Sequence, residues 1–564
     1  MAIWSPASLL LALRVCVTLA VDTGLSPHIQ PISYDLSIKM PDPLISDGFT
    51  ASVIIHLQLT EKSPNITLHA KNLHSMREVS MIAVNASFQP VLISTRLYEE
   101  TVEFIFLRPL SVGQYLLTVG EYSGKYSNGS TGVIQRYHKL FTTHLQPNFA
   151  RQLLPCIDHP SVKAPFRMTV IHQTGTQAQS NTIATDVSVV NATWQKTVFA
   201  PTPPLPVYLV TFSVMPPGYQ EVERQTSFGV TVRAHATSLT TARRVLDAAA
   251  ASFELLASIM EIPLPLNKVD FIMVPNYDGG MENWGHILLS ENLATSGDDA
   301  HLTYIIAHEL AHHWIGDKAT VNSWRWICLQ EDLTDYIAYK VAAAVMGHDQ
   351  RWERFLLSKY VAIQLTEDFF APEHSLMMPD NVTQSLISSH CYLKGVVLLE
   401  TLESVVGEEY MLAVIRNLVA TKSTFDLKTF LFYFEDIPVD RNVSLAQVIR
   451  HMDEHPEHFS AVGRAQLVTD FCYFYAHDEV DGGTAVKELV LDTVYRNPEY
   501  FELCDWHLFW CHSTAPATLP QLLRRVALGV TRLFNSDDAF GCRTGMAARN
   551  LNAICNSVFS TRCV

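Results

Sequence analysis

The sequence predicts a multidomain α+β protein, and three observations carry that prediction. At 564 residues the chain is too long for one ordinary hydrophobic core. From about Pro27 to Val214 apolar residues recur with period two, as half-buried strands require. After Pro217-Gly218 the period changes to that of helices. Hydrophobic residues make up 48% and charged residues 17%, a folded composition. The formal charge of −16 is spread without a basic run, which speaks against a nucleic-acid partner.

Taken in order, residues 1–20 read as a secretory signal peptide. Ser8 to Val21 is apolar apart from Arg14, too short and interrupted for a membrane span, with Thr18 and Ala20 as small residues before a cleavage. Left uncleaved, this segment is the one route to membrane association. Residues 21–217 form the antiparallel β domain. Tyr34, Leu36 and Ile38 alternate, as do Val53, Ile55, Leu57 and Leu59, and Val102, Phe104 and Phe106. A last strand is expected over Tyr208 to Val214, after the proline-rich stretch Pro201 to Pro206. Residues 218–437 form a middle domain, with a helix over Thr241 to Met260 and a strand over Lys268 to Val274. A turn at Pro275 to Gly280 follows, then further helices, one spanning Ser385 to Val406 and carrying Tyr392. Residues 438–564 read as a partial helical domain, over Leu445 to Met452, Arg464 to Ala476 and Leu519 to Phe534. Six N-x-S/T sequons, at Asn65, Asn85, Asn128, Asn191, Asn381 and Asn442, agree with a secreted protein or one on the extracellular face of the plasma membrane. Six of the ten cysteines crowd the last hundred residues, which suits disulfides in an oxidising compartment, but spacing alone does not give their pairing.

The chemistry concentrates in Ala307 to Glu331. The run His308-Glu309-Leu310-Ala311-His312 puts two imidazoles i, i+4 on one helical face, a spacing that suits zinc. Glu309 stands beside them as a general base. Glu331, nineteen positions on and opening a second helix over Glu331 to Val345, is the candidate third ligand. Two His and one Glu leave a fourth position open, the mark of a catalytic rather than a structural site. Gly297, Asp298 and Asp299 mark the start of the first helix and Gly316 its end.

Other runs accompany it: Thr142-Thr143-His144-Leu145-Gln146-Pro147, Pro155-Cys156-Ile157-Asp158-His159-Pro160, Gly279-Gly280-Met281-Glu282-Asn283-Trp284-Gly285, Tyr392-Leu393-Lys394-Gly395 and Gly463-Arg464-Ala465-Gln466-Leu467. In this order they resemble the zinc aminopeptidases of the aminopeptidase N family, over roughly residues 27 to 435 and again from Gly463. The resemblance implies a saddle-shaped β domain, a thermolysin-like catalytic domain and a C-terminal helical domain. It implies one zinc ion per chain on His308, His312 and Glu331, with Glu309 as base. It implies that Tyr392 stabilises the tetrahedral intermediate and that Glu282 binds the substrate's α-amine, within the loop of Gly279, Gly280, Met281 and Asn283. The implied substrates are peptides with a free N-terminus, since only a free ammonium satisfies a buried carboxylate.

The chain departs from the family at several places. Gln146 stands where the family's glutamate shares the amine with Glu282, and His144 replaces a glutamine of the first side-chain pocket. Asp332 replaces a glycine beside the third ligand. The β-sandwich expected after the catalytic domain reads as absent from this sequence, and the helical domain reads as truncated. Two alternatives follow: a weakly active or inactive binding protein on the same scaffold, and a leukotriene-hydrolase type of enzyme, which the leader and sequons oppose.

Overall fold

The computed structural model describes residues 25–41, 46–85, 89–136, 140–347, 378, 389–392, 395–396, 399, 402–403 and 406–433. The expected signal peptide, the expected partial helical domain with its six cysteines, and the sequons at Asn381 and Asn442 lie outside the described residues.

The alternating segments form a seven-stranded sheet. Its order is Ala184–Val189, Trp194–Phe199, Phe166–Gln173, Ile29–Lys39, Gly48–Leu59, Gly113–Lys125 and His74–Ala83. Period two is visible in the burial: Leu36 and Ile38, then Val53, Ile55, Leu57 and Leu59, are all buried. One pair departs from the antiparallel expectation. Ile29–Lys39 runs parallel to Phe166–Gln173, with Leu36 opposite Met168. More than a hundred residues separate the two strands, ample for the crossover that parallel pairing needs. Smaller sheets, Ser63–His69 with Thr101–Leu110 and Leu92–Leu97, and Gln177–Ser180 with Phe212–Met215, Leu140–His144 and Gly132–Arg136, extend the β region.

The strand expected over Tyr208 to Val214 is shorter. Val207–Leu209 is a 3₁₀ turn, and the paired strand is Phe212–Met215.

A second, mixed sheet runs Gln220–Gln225, Thr231–Ala236, Lys268–Val274, His286–Ser290 and Gly280–Met281. Its central strand Lys268–Val274 is buried on both faces; Val269, Phe271, Ile272, Met273 and Val274 fill the core, and the buried charges of Lys268 and Asp270 pair with each other at 2.7 Å. The helix Leu239–Met260 starts at Ser238, whose side chain accepts from the Thr241 N–H, and packs against this sheet. Two further helices follow, Asp299–Ala311 and Ile327–Met346, packed on each other.

Two helix boundaries differ from the sequence reading. Asp298 caps the first of these helices as expected, accepting from the His301 N–H. That helix ends at Ala311, and the residues up to Gly316 continue as turns. Buried Trp314 and Ile315 keep a helical apolar spacing there, which made the turns read as helix. The second begins at Ile327, after the 3₁₀ turn Trp324–Trp326, so Glu331 lies one turn inside it. The helix expected over Ser385 to Val406 lies partly outside the described residues; within them, Ser389–Tyr392 is a 3₁₀ turn.

The described residues fall in one compact unit. Side chains of the β region reach the helical region directly. Tyr208 Oη donates to Gly316 O at 3.3 Å, and Lys163 Nζ donates to Asp317 O at 3.0 Å.

Candidate active site

The His308 helix is buried over most of its surface by Leu302, Ile306, Ala307, Leu310 and Ala311, and only the side of Asp299, His301 and Ile305 keeps some exposure. It lies between the second sheet's edge strand and the Glu331 helix. This placement brings three ligand atoms together. The Nε2 atoms of His308 and His312 are 3.0 Å apart, and Glu331 Oε2 lies 3.4 Å from the first and 3.2 Å from the second. Tetrahedral bonds of about 2.0–2.1 Å to zinc put neighbouring ligand atoms about 3.3 Å apart. The triangle therefore fits a tetrahedral dication.

The remaining imidazole atoms orient the ligands. His308 Nδ1 lies 2.6 Å from Asp335 Oδ1, which also accepts from Tyr304 Oη at 2.8 Å. His312 Nδ1 lies 2.9 Å from Ile315 O and 3.2 Å from Thr334 Oγ1. Each Nδ1–H donates outward, so each Nε2 lone pair faces the centre. Sequence reasoning missed Asp335 and Thr334. The one signal for them was their spacing, i+4 and i+3 from Glu331 on its helix.

Charge in the pocket is concentrated. Burial would raise Glu331, but His312 and His308 hold it down at about 2. Burial pushes Glu309 up to about 8, against the pull of His308 and His312. Burial also raises Glu282. Burial alone would lower His308, and the Asp335 carboxylate more than offsets this, raising it well above the usual range.

Glu309 meets the second sheet through Gly280. A Cβ at Gly280 would lie 2.3 Å from Glu309 Oε1, so only glycine lets the edge strand lie against that carboxylate. The strand Gly280–Met281 leads into Glu282, which is buried. Gly279 closes the preceding turn at φ +66°, and its carbonyl accepts from the Ser290 N–H at 2.9 Å. Asn283 is fully buried in the loop, its carbonyl accepting from the His286 N–H at 2.7 Å.

His313 ties this loop to the helix. Its Nδ1 lies 3.3 Å from Glu309 O, and its Nε2 accepts from the Gly285 N–H at 3.0 Å. Burial lowers His313 to about 3, in keeping with a neutral acceptor. Lys268 Nζ fixes the loop from below, donating to Gly285 O and Asp270 Oδ2, each at 2.7 Å. Neither His313 nor Lys268 was picked out from the sequence.

Gln146 reaches the site from the β region. Its Nε2 donates to Glu282 Oε1 at 2.8 Å. His144 does not touch the carboxylates; its Nδ1 bonds the Tyr277 hydroxyl at 2.8 Å, and burial lowers it to about 4. The half-buried Tyr392 ring stands 5.9 Å from the His308 ring. Tyr392 follows a disulfide, Cys328–Cys391, that sequence spacing could not assign.

The site therefore joins a two-His, one-Glu ligand set to a buried carboxylate on its edge and a second carboxylate in a facing loop. That is the arrangement of a metal-dependent peptidase. The Peptidase M1 N-terminal domain matches residues 30–209 and the Peptidase family M1 domain matches residues 244–433. The chain belongs to peptidase family M1, the aminopeptidase N family. It is similar to aminopeptidase N of Haemonchus contortus, 28% identical over 423 residues, 69% of this chain and 43% of the relative. It is similar to human aminopeptidase N, 26% identical over 424 residues, 68% of this chain and 43% of the relative. Mouse aminopeptidase Q is 30% identical over 349 residues, 55% of this chain and 62% of the relative. The chain thus spans less than two thirds of the length of these relatives.

Asp335→Ala leaves His308 Nδ1 without its carboxylate. Zinc affinity, measured by competition with a chromophoric chelator, falls about 10–100-fold.

Proposed function

We propose that the protein is a zinc-dependent aminopeptidase that removes N-terminal residues from peptides. The observation that carries this reading is the convergence of His308, His312 and Glu331 beside Glu309, with Glu282 facing them. The donor set fits one zinc per chain. It also explains how three carboxylates share a buried pocket, since a dication offsets charge that would otherwise be costly away from water. Zinc held by His308, His312 and Glu331 would polarise the substrate carbonyl and lower the pKa of bound water.

The residues supply the rest. Glu309 takes the proton of the attacking water and hands it to the leaving amine. The Tyr392 phenol donates to the developing oxyanion. Glu282 pairs with the α-ammonium, so the enzyme counts from the N-terminus and cleaves the first peptide bond. Gln146 holds Glu282 Oε1 and leaves the other oxygen to the amine. Gly279, Gly280, Met281 and Asn283 set the loop that presents Glu282, and His144 stands with Tyr277 beside it. With the family reading we also infer a saddle-shaped β domain and a thermolysin-like catalytic domain.

We infer a secretory location, secreted or on the outer face of the plasma membrane. The disulfide supports an oxidising compartment, and Asn85, Asn128 and Asn191 stand exposed for glycans. Asn65 is partly buried, its side-chain N–H donating to Glu103. Among the described residues no helix is long and apolar enough to cross a membrane.

Glu309→Gln keeps zinc but loses most turnover of an aminoacyl amide; metal analysis and initial rates check both, and near-normal rates would remove Glu309 as the base. Gln146→Glu adds a charge at the amine, and charge-assisted hydrogen bonds are roughly twice as strong as neutral ones. It raises kcat/KM for free-amine peptides about tenfold, if the gain is worth about 1.4 kcal/mol. Acetylated peptides gain nothing. An unchanged free-amine rate would mean that Gln146 does not serve the amine. On protein secreted from animal cells, N-glycosidase digestion increases electrophoretic mobility; no shift would count against the secretory location.

A further inference from the structure

Tyr392 ends a four-residue 3₁₀ turn, Ser389–Tyr392. Such turns have poor hydrogen-bond geometry and hold little shape alone. Yet the phenol must meet an oxyanion position to within a fraction of an ångström, because a misplacement of about 1 Å can cost 10²-fold in rate. Two links answer this requirement, and both lead to the Glu331 helix.

The first is covalent. Cys391, the neighbour of Tyr392, is bonded to Cys328, across a sequence separation of 63. Cys328 lies one helical turn before Glu331, and both half-cystines are fully buried. The second is polar. Asp332, the residue after Glu331, accepts hydrogen bonds from the backbone N–H groups of Gly395 and Val396. A Cβ at position 395 would lie 1.7 Å from Asp332 Oδ2, so this approach requires a glycine there. Tyr392 is thus tied to one helix on both sides in sequence, by the residue just before it and by the backbone three residues after it. The ligand carboxylate leaves that helix between the two anchor points.

We propose that the Cys328–Cys391 disulfide, assisted by Asp332, is a positioning device that registers the Tyr392 phenol against the zinc ligands. This rests on the aminopeptidase reading above. The disulfide touches no substrate and supplies no ligand; it acts through Tyr392. Opening it makes the enzyme slow without emptying it of metal.

The test uses the full zinc-loaded chain and an aminoacyl amide. Two routes open the link: the double variant Cys328→Ala/Cys391→Ala, and reduction of the folded wild type by a water-soluble phosphine. In the second route the phosphine is oxidised to its oxide with oxygen from one water, and the disulfide becomes two thiols. By either route kcat falls toward that of Tyr392→Phe, about 10²-fold, as for loss of one oxyanion donor. KM moves less than about threefold and zinc stays at one per chain, the split that marks an interaction made in the transition state. In a Tyr392→Phe background, opening the link costs less than about twofold more, because both changes act through one group. Phosphine has no further effect on the double variant, which separates this bond from other disulfides. Should the double variant not fold, reduction of wild type and of Tyr392→Phe gives the same comparison.

Unchanged kcat overturns the proposal, as does an equal loss in the Tyr392→Phe background. Loss of zinc on opening the link also overturns it, since the bond would then hold Glu331 rather than Tyr392. A wild type that is fully loaded with zinc yet cleaves no aminoacyl amide refutes the aminopeptidase reading itself, and this inference with it.

Discussion

Glu282, Glu309 and Glu331 occupy one buried pocket with His308 and His312. Like charges removed from water repel, and each carboxylate alone would be driven to its neutral form. The surrounding structure answers that constraint in two ways. It gathers three ligand atoms at the spacing a dication needs. It then surrounds them with groups of fixed orientation: Asp335 and Thr334 behind the imidazoles, and His313 between the helix and the Glu282 loop. A ligand must shed its proton to bind a cation, so metal loading, protonation and the geometry of the base form one coupled problem.

Much of this was legible in the sequence because it depends on local spacing. His308 and His312 are one helical turn apart wherever the chain forms a helix. Lys268 to Val274 reads as a strand from Val269, Phe271, Ile272 and Val274, just ahead of the turn residues Pro275 to Gly280. Glu282 and Gln146 were placed by motif, and the hydrogen bond between them is contact at long range, across 136 residues. What stayed hidden is of that long-range kind without a motif. His313 looks like one more residue of a histidine pair until Gly285 is seen to approach it. Cys328 and Cys391 sit in unlike surroundings 63 positions apart, and nothing in either neighbourhood names the other. Helix ends were misjudged where turns kept apolar residues at helical spacing, as at Trp314 and Ile315.

Asp332 shows how a departure from a family pattern can be absorbed. Read from sequence, it is an added charge next to a metal ligand. In the structure it turns toward the backbone of Gly395 and Val396, and those amides satisfy one of its oxygens. Burial and the neighbouring Asp335 and Glu331 carboxylates raise it well above the usual range, so it need not add a full negative charge to the centre. Gln146 is a different case. It exchanges a carboxylate for an amide that can donate, and its donor goes to the partner that the missing charge would have repelled.

The parallel pair in the large sheet bears on how the chain is made. Ile29–Lys39 is an interior strand, with Gly48–Leu59 on one side and Phe166–Gln173 on the other. The first neighbour emerges from the ribosome at once. The second follows only after more than a hundred further residues, on the order of ten seconds at ordinary elongation rates. For that interval one edge of the strand carries a row of unsatisfied N–H and C=O groups, an open template for the wrong partner. The β region therefore cannot be completed piecewise from its N-terminus. Its central seam closes late, and keeping that edge unoccupied until then is a task for the cell's folding machinery as much as for the sequence.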